Sequence, residues 1–234
     1  MNNYSNYLRA TALAAIAFAN TASANPSVET VKLLTANFEP RDVVQVEVGD
    51  FHFVPGQVAP VHTHEAPAVG YVAKGAIIYQ VEGEKPQILN EGDAFYEPAG
   101  PRIMRFDNAS ATEEAIFIDF NLEQVEEPFI VFEQAPTEAI DRRTLPTVAL
   151  GGKSIDQVDI YASELASGGT LTLDNREPTL GLVAEGVIEL RVNGDAAQRI
   201  VAGETFSMPS TSSEAVVLNA SNEVPAKVIT FRLK

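Results

Sequence analysis

Histidine is the side chain best suited to metal or proton chemistry near neutral pH. All three histidines of this 234-residue chain, His52, His62 and His64, fall within one stretch of thirteen residues. Gly56 leads into His62-Thr63-His64. On a strand, residues two apart point to one face, so the two imidazoles should project together. Such a pair begins a transition-metal site, and either ring, when neutral, is a competent general base. His52 is a further candidate. If Pro55-Gly56-Gln57 turns a hairpin between strands over Val43–Val54 and Val58–His64, His52 comes opposite Pro60, a diagonal step from the pair. Glu65 adjoins His64, but strand parity turns it to the other face. The chain has no cysteine, which excludes thiolate metal sites and disulfides.

The elements that must hold these residues read as short strands between turn signals. In the first half they are Val43–Val54, Val58–His64, Val69–Ala73, Ala76–Val81 and Ala115–Phe120. In the second they are Thr170–Leu173, Thr179–Ala184, Val187–Val192, Ala215–Leu218 and Lys227–Leu233. Phe129-Ile130-Val131-Phe132 reads as a further strand, and Ser154–Ala166 allows at most a short helix. Many short strands with frequent turns predict an all-β sandwich or barrel. Apolar residues make up 45% of the chain, enough for substantial cores.

The segment Met1–Ala24 carries a single charged side chain, Arg9, and then an apolar run over Ala10–Ala19 too short to span a bilayer. Ala22-Ser23-Ala24 fits the small-x-small pattern of a cleaved export signal, so a mature chain is expected to begin at Asn25, in the periplasm or outside the cell. Net charge then moves from −16 to −17, because Arg9 is lost and no acid is. So acidic a surface disfavours nucleic acid and anionic membranes, and no later segment reads as a membrane span.

The two halves of the chain match each other. Residues 66–120 align with 177–231 without a gap, with eighteen identities. Pro67, Gly70, Gly75, Gly83, Gly92 and Pro98 recur as Pro178, Gly181, Gly186, Gly194, Gly203 and Pro209, so what repeats is chiefly a set of turns. Two copies of one domain is the economical reading. The boundary falls near Pro136, giving domains over 25–135 and 136–234. Phe95 recurs as Phe206, which marks a core-facing position, and Glu97 follows on that face. Tyr71 and Tyr79 align with Leu182 and Leu190 and read as core aromatics; Tyr96 should face away. Glu123, Glu126 and Glu127 read as a solvated acidic run.

With these residues in view, the chain resembles the cupin superfamily. Gly56, His62, His64 and Gly75 fit the spacing of its first motif. Gly92, Pro98 and Gly100 fit half of its second, with Asn108 one residue past the expected Asn. The resemblance spans both repeats and implies a bicupin of two tandem jelly-roll β-barrels. It also implies a divalent metal held by three His and one Glu. Here the Glu place falls on Ala68 or Val69, and the third His place on Ile103. His52 and Glu97 are the candidates to complete a set with His62 and His64. Arg102, beside Ile103, could pair with a substrate carboxylate. The second half has no histidine: Leu173-Asp174-Asn175-Arg176 stands at the His block, which predicts a metal-free barrel.

Three functions follow. The leading one is a metal-dependent cupin acting on, or binding, a small organic molecule, in the manner of cupin dioxygenases, decarboxylases or lyases. Iron, nickel, manganese and zinc are all compatible with His and carboxylate donors, and two His with Glu97 would favour iron. The second is a metal-free epimerase or isomerase using His62 or His64 as base. The third is a non-catalytic ligand-binding or structural bicupin. A bicupin already mimics a dimer of single cupins, so a monomer is expected, with a homodimer as the alternative.

Overall fold

The computed structural model describes residues 27–174, 176–208, 210 and 214–234. The expected export signal lies outside them. The first half contains β1 (Val28–Phe53), β2 (His62–Thr63), β3 (Ala68–Lys74), β4 (Ala76–Val81), β5 (Gln87–Asn90), β6 (Ala94–Glu97), β7 (Ile103–Asn108), β8 (Ala115–Glu123) and β9 (Val131–Phe132). The second contains β10 (Asp141–Leu165), β11 (Thr170–Leu173), β12 (Thr179–Glu185), β13 (Val187–Val192), β14 (Gln198–Val201), β15 (Thr205–Met208), β16 (Ala215–Asn219) and β17 (Ala226–Leu233). The fold is all-β, two jelly-roll barrels, and no described helix is long and apolar enough to cross a membrane.

One eight-stranded sheet, in the order β15-β12-β17-β10-β1-β8-β3-β6, runs through both halves. The sheet β5-β4-β7-β2-β9 closes the first barrel against one end of it, and β11-β16-β13-β14 closes the second against the other. Alternation in the sequence sets which side chains turn inward. In β4, Ile77, Tyr79 and Val81 are buried in the first barrel while their neighbours are less so. Along β8, Ala115 and Phe117 enter that barrel, and Ile118, Phe120 and Leu122 face a separate core between the halves. There Phe120 meets Phe231, its own counterpart in the repeat, with ring centroids 4.3 Å apart.

Two unusually long strands tie the halves together. β1 has 26 residues and β10 has 25, against the usual 3–10 or so. They run antiparallel, Val28 opposite Leu165 and His52 opposite Asp141. The start of each strand therefore lies alongside the other half. The segment Ser154–Ala166, expected to form at most a short helix, is almost entirely strand within β10. Val158–Leu165 is paired on one side with β1 and on the other with β17, so ladder bonds on both edges settle a weak local preference.

The expected hairpin between Val43–Val54 and Val58–His64 does not form. β8 and β10 occupy both edges of β1, leaving none for a third strand. The chain turns at Gly56, where φ is +72°, and crosses to the opposite sheet. There Val58 bridges Asp107, and His62 pairs with Ile103 and Phe132. Asn108 fastens this crossing. Its Nδ2 donates to the carbonyls of Phe53, Val54 and Glu113, and its backbone N–H donates to Gln57 O at 2.9 Å. Asn219 makes the same three side-chain bonds, to Leu165, Ala166 and Val224, in the second half.

Candidate metal centre

His62 and His64 enter the first barrel from the crossing segment. Pairing to Ile103 and Phe132 places His62 on the inner face of the small sheet. His64 is held by a parallel bridge to Ala99 and by Gly100 N–H, which donates to its carbonyl at 2.9 Å. That bridge brings it beside the end of β6, where Glu97 points inward like Phe95 two residues earlier. His62, His64 and Glu97 are 3%, 2% and 2% exposed. Their donor atoms all lie within 4.8 Å of one another.

Glu97 Oε1 lies 3.5 Å from His62 Nε2, and Oε2 lies 3.5 Å from His64 Nε2. Neither contact is a good hydrogen bond. Two coordination bonds of about 2.1 Å meeting at one cation would leave a similar separation between donors. The His62 Nδ1–H donates to Pro60 O at 2.8 Å, which leaves Nε2 as the free lone pair, turned toward Glu97. Both ring nitrogens of His64 and Oε1 of Glu97 are buried without a hydrogen-bond partner. Orphaned buried donors and acceptors are costly, and a cation at this point would satisfy His64 Nε2 and Glu97 Oε1. The residues present therefore fit a divalent transition metal.

Electrostatics in the metal-free protein agree. Burial alone would lower the His64 pKa, but the Glu97 carboxylate beside it outweighs burial and raises it to about 9. Burial pushes Glu97 up, and the charge on His64, with both imidazoles beside the carboxylate, pulls it well below the usual carboxylate range. Without an ion, a proton on His64 stands in for the missing positive charge. The surrounding walls are apolar and aromatic. A cavity of about 20 Å³, room for one water-sized group, is lined by the cluster together with Phe51, Phe53, Phe106, Phe117 and Phe132.

The departures from the expected ligand set now have a geometric account. Ala68 stands directly opposite Glu97 in the β3–β6 ladder. A carboxylate is thus present one ladder rung across from the motif position. Ile103 stands directly opposite His62 and is fully buried, so the third imidazole is replaced by hydrocarbon.

Two sequence candidates are not brought to this cluster. His52 sits on the opposite face of β1 from Phe51 and Phe53. Its ring lies between Asp50, at 3.1 Å, and Glu114, at 3.3 Å. The missing hairpin is the reason. Arg102 is at the surface, where its guanidinium grips Glu133 through Nε and Nη2 at 2.5 and 2.8 Å. Tyr71 and Tyr79 are buried as expected. Glu123, expected in a solvated run, is instead buried, accepting from Gln45 and Asn121.

Asp119 on β8 lines the same cavity and was not singled out by sequence. The available signal was a lone acid inside Ile116-Phe117-Ile118-Asp119-Phe120, in register with inward Phe117. It pairs across the ladder with Gly70, whose missing side chain makes way for Phe95. In the second half the positions matching His62, Glu97 and Asp119 are Leu173, Met208 and Thr230, all buried. Where the first barrel holds ionisable groups, the second holds apolar Leu173 and Met208 and uncharged Thr230.

Comparison with known proteins bears on the fold. No curated protein sequence matches the chain. Residues 49–121 match the cupin domain family model. Among solved structures, AerE from Microcystis aeruginosa superposes with a TM-score of 0.59 at 15% identity, covering 89% of this chain and 98% of that one. A salicylate 1,2-dioxygenase from Pseudaminobacter salicylatoxidans superposes with a TM-score of 0.56 at 15% identity, covering 80% of this chain and 71% of that one. A further structure of that dioxygenase, as adducts with gentisate, gives 0.55 at 15% identity, with coverage of 80% and 68%. At such identities the likeness is one of fold. Together with the family match, it gives residues 49–121 a cupin domain and the chain a cupin-like fold.

Proposed function

We propose that the first barrel is a metal centre, with His62, His64 and Glu97 holding one divalent transition metal, and that it acts on a small organic molecule admitted beside the ion. The observation that carries this reading is the convergence of three buried donors within 4.8 Å, the otherwise unpartnered Nε2 of His64 and Oε1 of Glu97 among them. Two His and one carboxylate favour iron, with manganese, nickel and zinc as competitors. When bound, the ion would supply Lewis acidity or an oxygen-activating centre with positions left open for substrate.

The chain's own residues have distinct parts. The His62–Pro60 hydrogen bond fixes the tautomer that presents Nε2. Glu97 offsets one positive charge and orients both rings. The phenylalanine wall excludes water and suits an apolar or aromatic molecule. The dioxygenase structure with gentisate supports an aromatic substrate by analogy of fold. A metal-free reaction with His64 as base fits less well, because Glu97 keeps that ring protonated at neutral pH. The reading includes export, on the strength of Ala22-Ser23-Ala24, which N-terminal sequencing of the mature protein tests.

The main test is metal content. Protein purified without chelator is expected to carry one transition metal per chain, and His62→Ala, His64→Ala and Glu97→Gln to lose it. Metal-free wild-type protein that also fails to take up iron, manganese, nickel or zinc in titration would overturn the reading.

A further inference from the structure

The metal reading leaves one group in the cavity without a task. Asp119 is 2% exposed, and its Oδ1 has no hydrogen-bond partner. The other inward acids nearby are engaged: Glu123 accepts from Gln45 and Asn121, and Glu47 is paired with Arg142. Asp119 lines the same cavity of about 20 Å³ as the three donors, yet it is not among the atoms that converge within 4.8 Å. It stands one place further along the sheet: Gly70, its ladder partner, follows Ala68, the partner of Glu97, by two residues.

Charge balance gives this placement a meaning. A divalent ion held by two neutral imidazoles and one carboxylate leaves one uncompensated positive charge in a nearly dry, phenylalanine-walled site. Buried charge without a partner is strongly disfavoured. A second carboxylate on the wall of the same cavity, which has room for one water-sized group, neutralises it. The second barrel supports treating the acid as part of the set. There Leu173, Met208 and Thr230 replace His62, Glu97 and Asp119 together, so donors and outer acid are absent as a group.

We propose that Asp119 is the outer-sphere carboxylate of this centre: it neutralises the ion and accepts a hydrogen bond from the exchangeable ligand in the ion's open position. Asp119 is thus a positioning residue, and the inference rests on the metal reading above.

The test uses Mn²⁺ as the probe on full-length mature protein, measuring affinity by titration and the bound ion's surroundings by its electron paramagnetic resonance and its effect on water-proton relaxation. Asp119→Asn preserves shape and removes the charge; Asp119→Ala also removes the acceptor. Both are expected to bind Mn²⁺ at least about tenfold more weakly, the usual scale for outer-sphere partners, with altered resonance and relaxation. Metal-free melting temperature should hold or rise in Asp119→Asn, because the buried Oδ1 has no partner to lose and burial with Glu97 nearby already disfavours the charged form, while the stabilisation gained on adding Mn²⁺ shrinks. Unchanged affinity and relaxation in both variants would overturn the proposal, as would a drop in metal-free stability that fully accounts for weaker binding. Failure of the metal reading is separately visible: wild-type protein would then bind no Mn²⁺ at all.

Discussion

Because Glu97 holds a proton on His64 in the metal-free protein, the ion has to displace that proton, and affinity must depend on pH in a way the geometry sets. His64 is raised to about 9 by Glu97, against the opposing effect of burial. Only the neutral imidazole can coordinate. At pH 7 the neutral form is roughly one part in 100 of the total, which weakens apparent binding by about 2.7 kcal/mol relative to a fully deprotonated site. The sign follows directly: affinity strengthens as pH rises and levels off above about 9. Between pH 7 and pH 8 the apparent Kd should fall about tenfold. Calorimetric titration with Mn²⁺ in buffers of differing ionisation enthalpy should show at least about one proton released per ion at pH 7, from His64, and more where Asp119, pushed up by burial and Glu97, also ionises beside the ion. Glu97→Gln removes the main cause of the raised pKa, leaving burial to push His64 the other way. That variant should bind weakly with far less proton release from His64. Affinity in the wild type that is flat from pH 7 to pH 8, or proton release near zero, would refute the argument.

Three further perturbations test other parts of the structure. Ile103→His puts an imidazole directly opposite His62; metal titration should show affinity rising at least about tenfold while the metal-free protein loses about 1–3 kcal/mol, since a polar ring enters a filled apolar site. Asp159, buried beneath Lys32, Lys234 and Thr35, is pushed up by burial but held far below the usual carboxylate range by its donors; its contribution is therefore present above its unfolded value near 3.8 and lost as pH falls, and Asp159→Asn should cost about 1–3 kcal/mol at neutral pH and flatten the acid limb of a melting-temperature profile. Gly181→Ala would drive a Cβ into the ring of Phe206, so denaturant unfolding should show a loss of about 1–3 kcal/mol, with no effect on ion binding in the other barrel.

The parts of this molecule that were legible in the sequence are those fixed by local pattern. Ala76–Val81, Thr170–Leu173 and Val187–Val192 form strands over the same residues that alternation and turn signals mark. Glu97 follows Phe95 inward because parity within one short strand is hard to escape. The failures all involve edges. His52 depended on which strand pairs with β1, and the answer lay far along the chain in β8 and β10. Ser154–Ala166 is locally ambiguous, and pairing on both sides decides it. Glu123 looked solvated because it opens an acidic run, but Gln45, from the neighbouring strand, covers it.

The same reasoning explains why a ligand set that looked half lost in sequence is more complete in space. A motif counts positions along one strand, whereas a metal responds to where donor atoms converge. Ala68 and Glu97 belong to different strands, β3 and β6, but face each other across a single ladder rung. Moving the carboxylate from one to the other changes the motif and keeps a donor near His62 and His64. Ile103 cannot be rescued in this way, because its rung partner is His62 itself. Among the described residues, the other acid lining the cavity is Asp119, which is not among the atoms that converge within 4.8 Å. The proposed centre is therefore poorer in imidazole than the family pattern implies, with the same single carboxylate donor and a second acid on the cavity wall. That shift favours harder, oxygen-tolerant ions such as Fe²⁺ and Mn²⁺ over those that prefer nitrogen-rich sites. A competition titration gives this a direct reading: the advantage of Zn²⁺ over Mn²⁺ should be smaller here than in Ile103→His, and an equal or larger advantage in the native chain would show that the missing imidazole does not set selectivity.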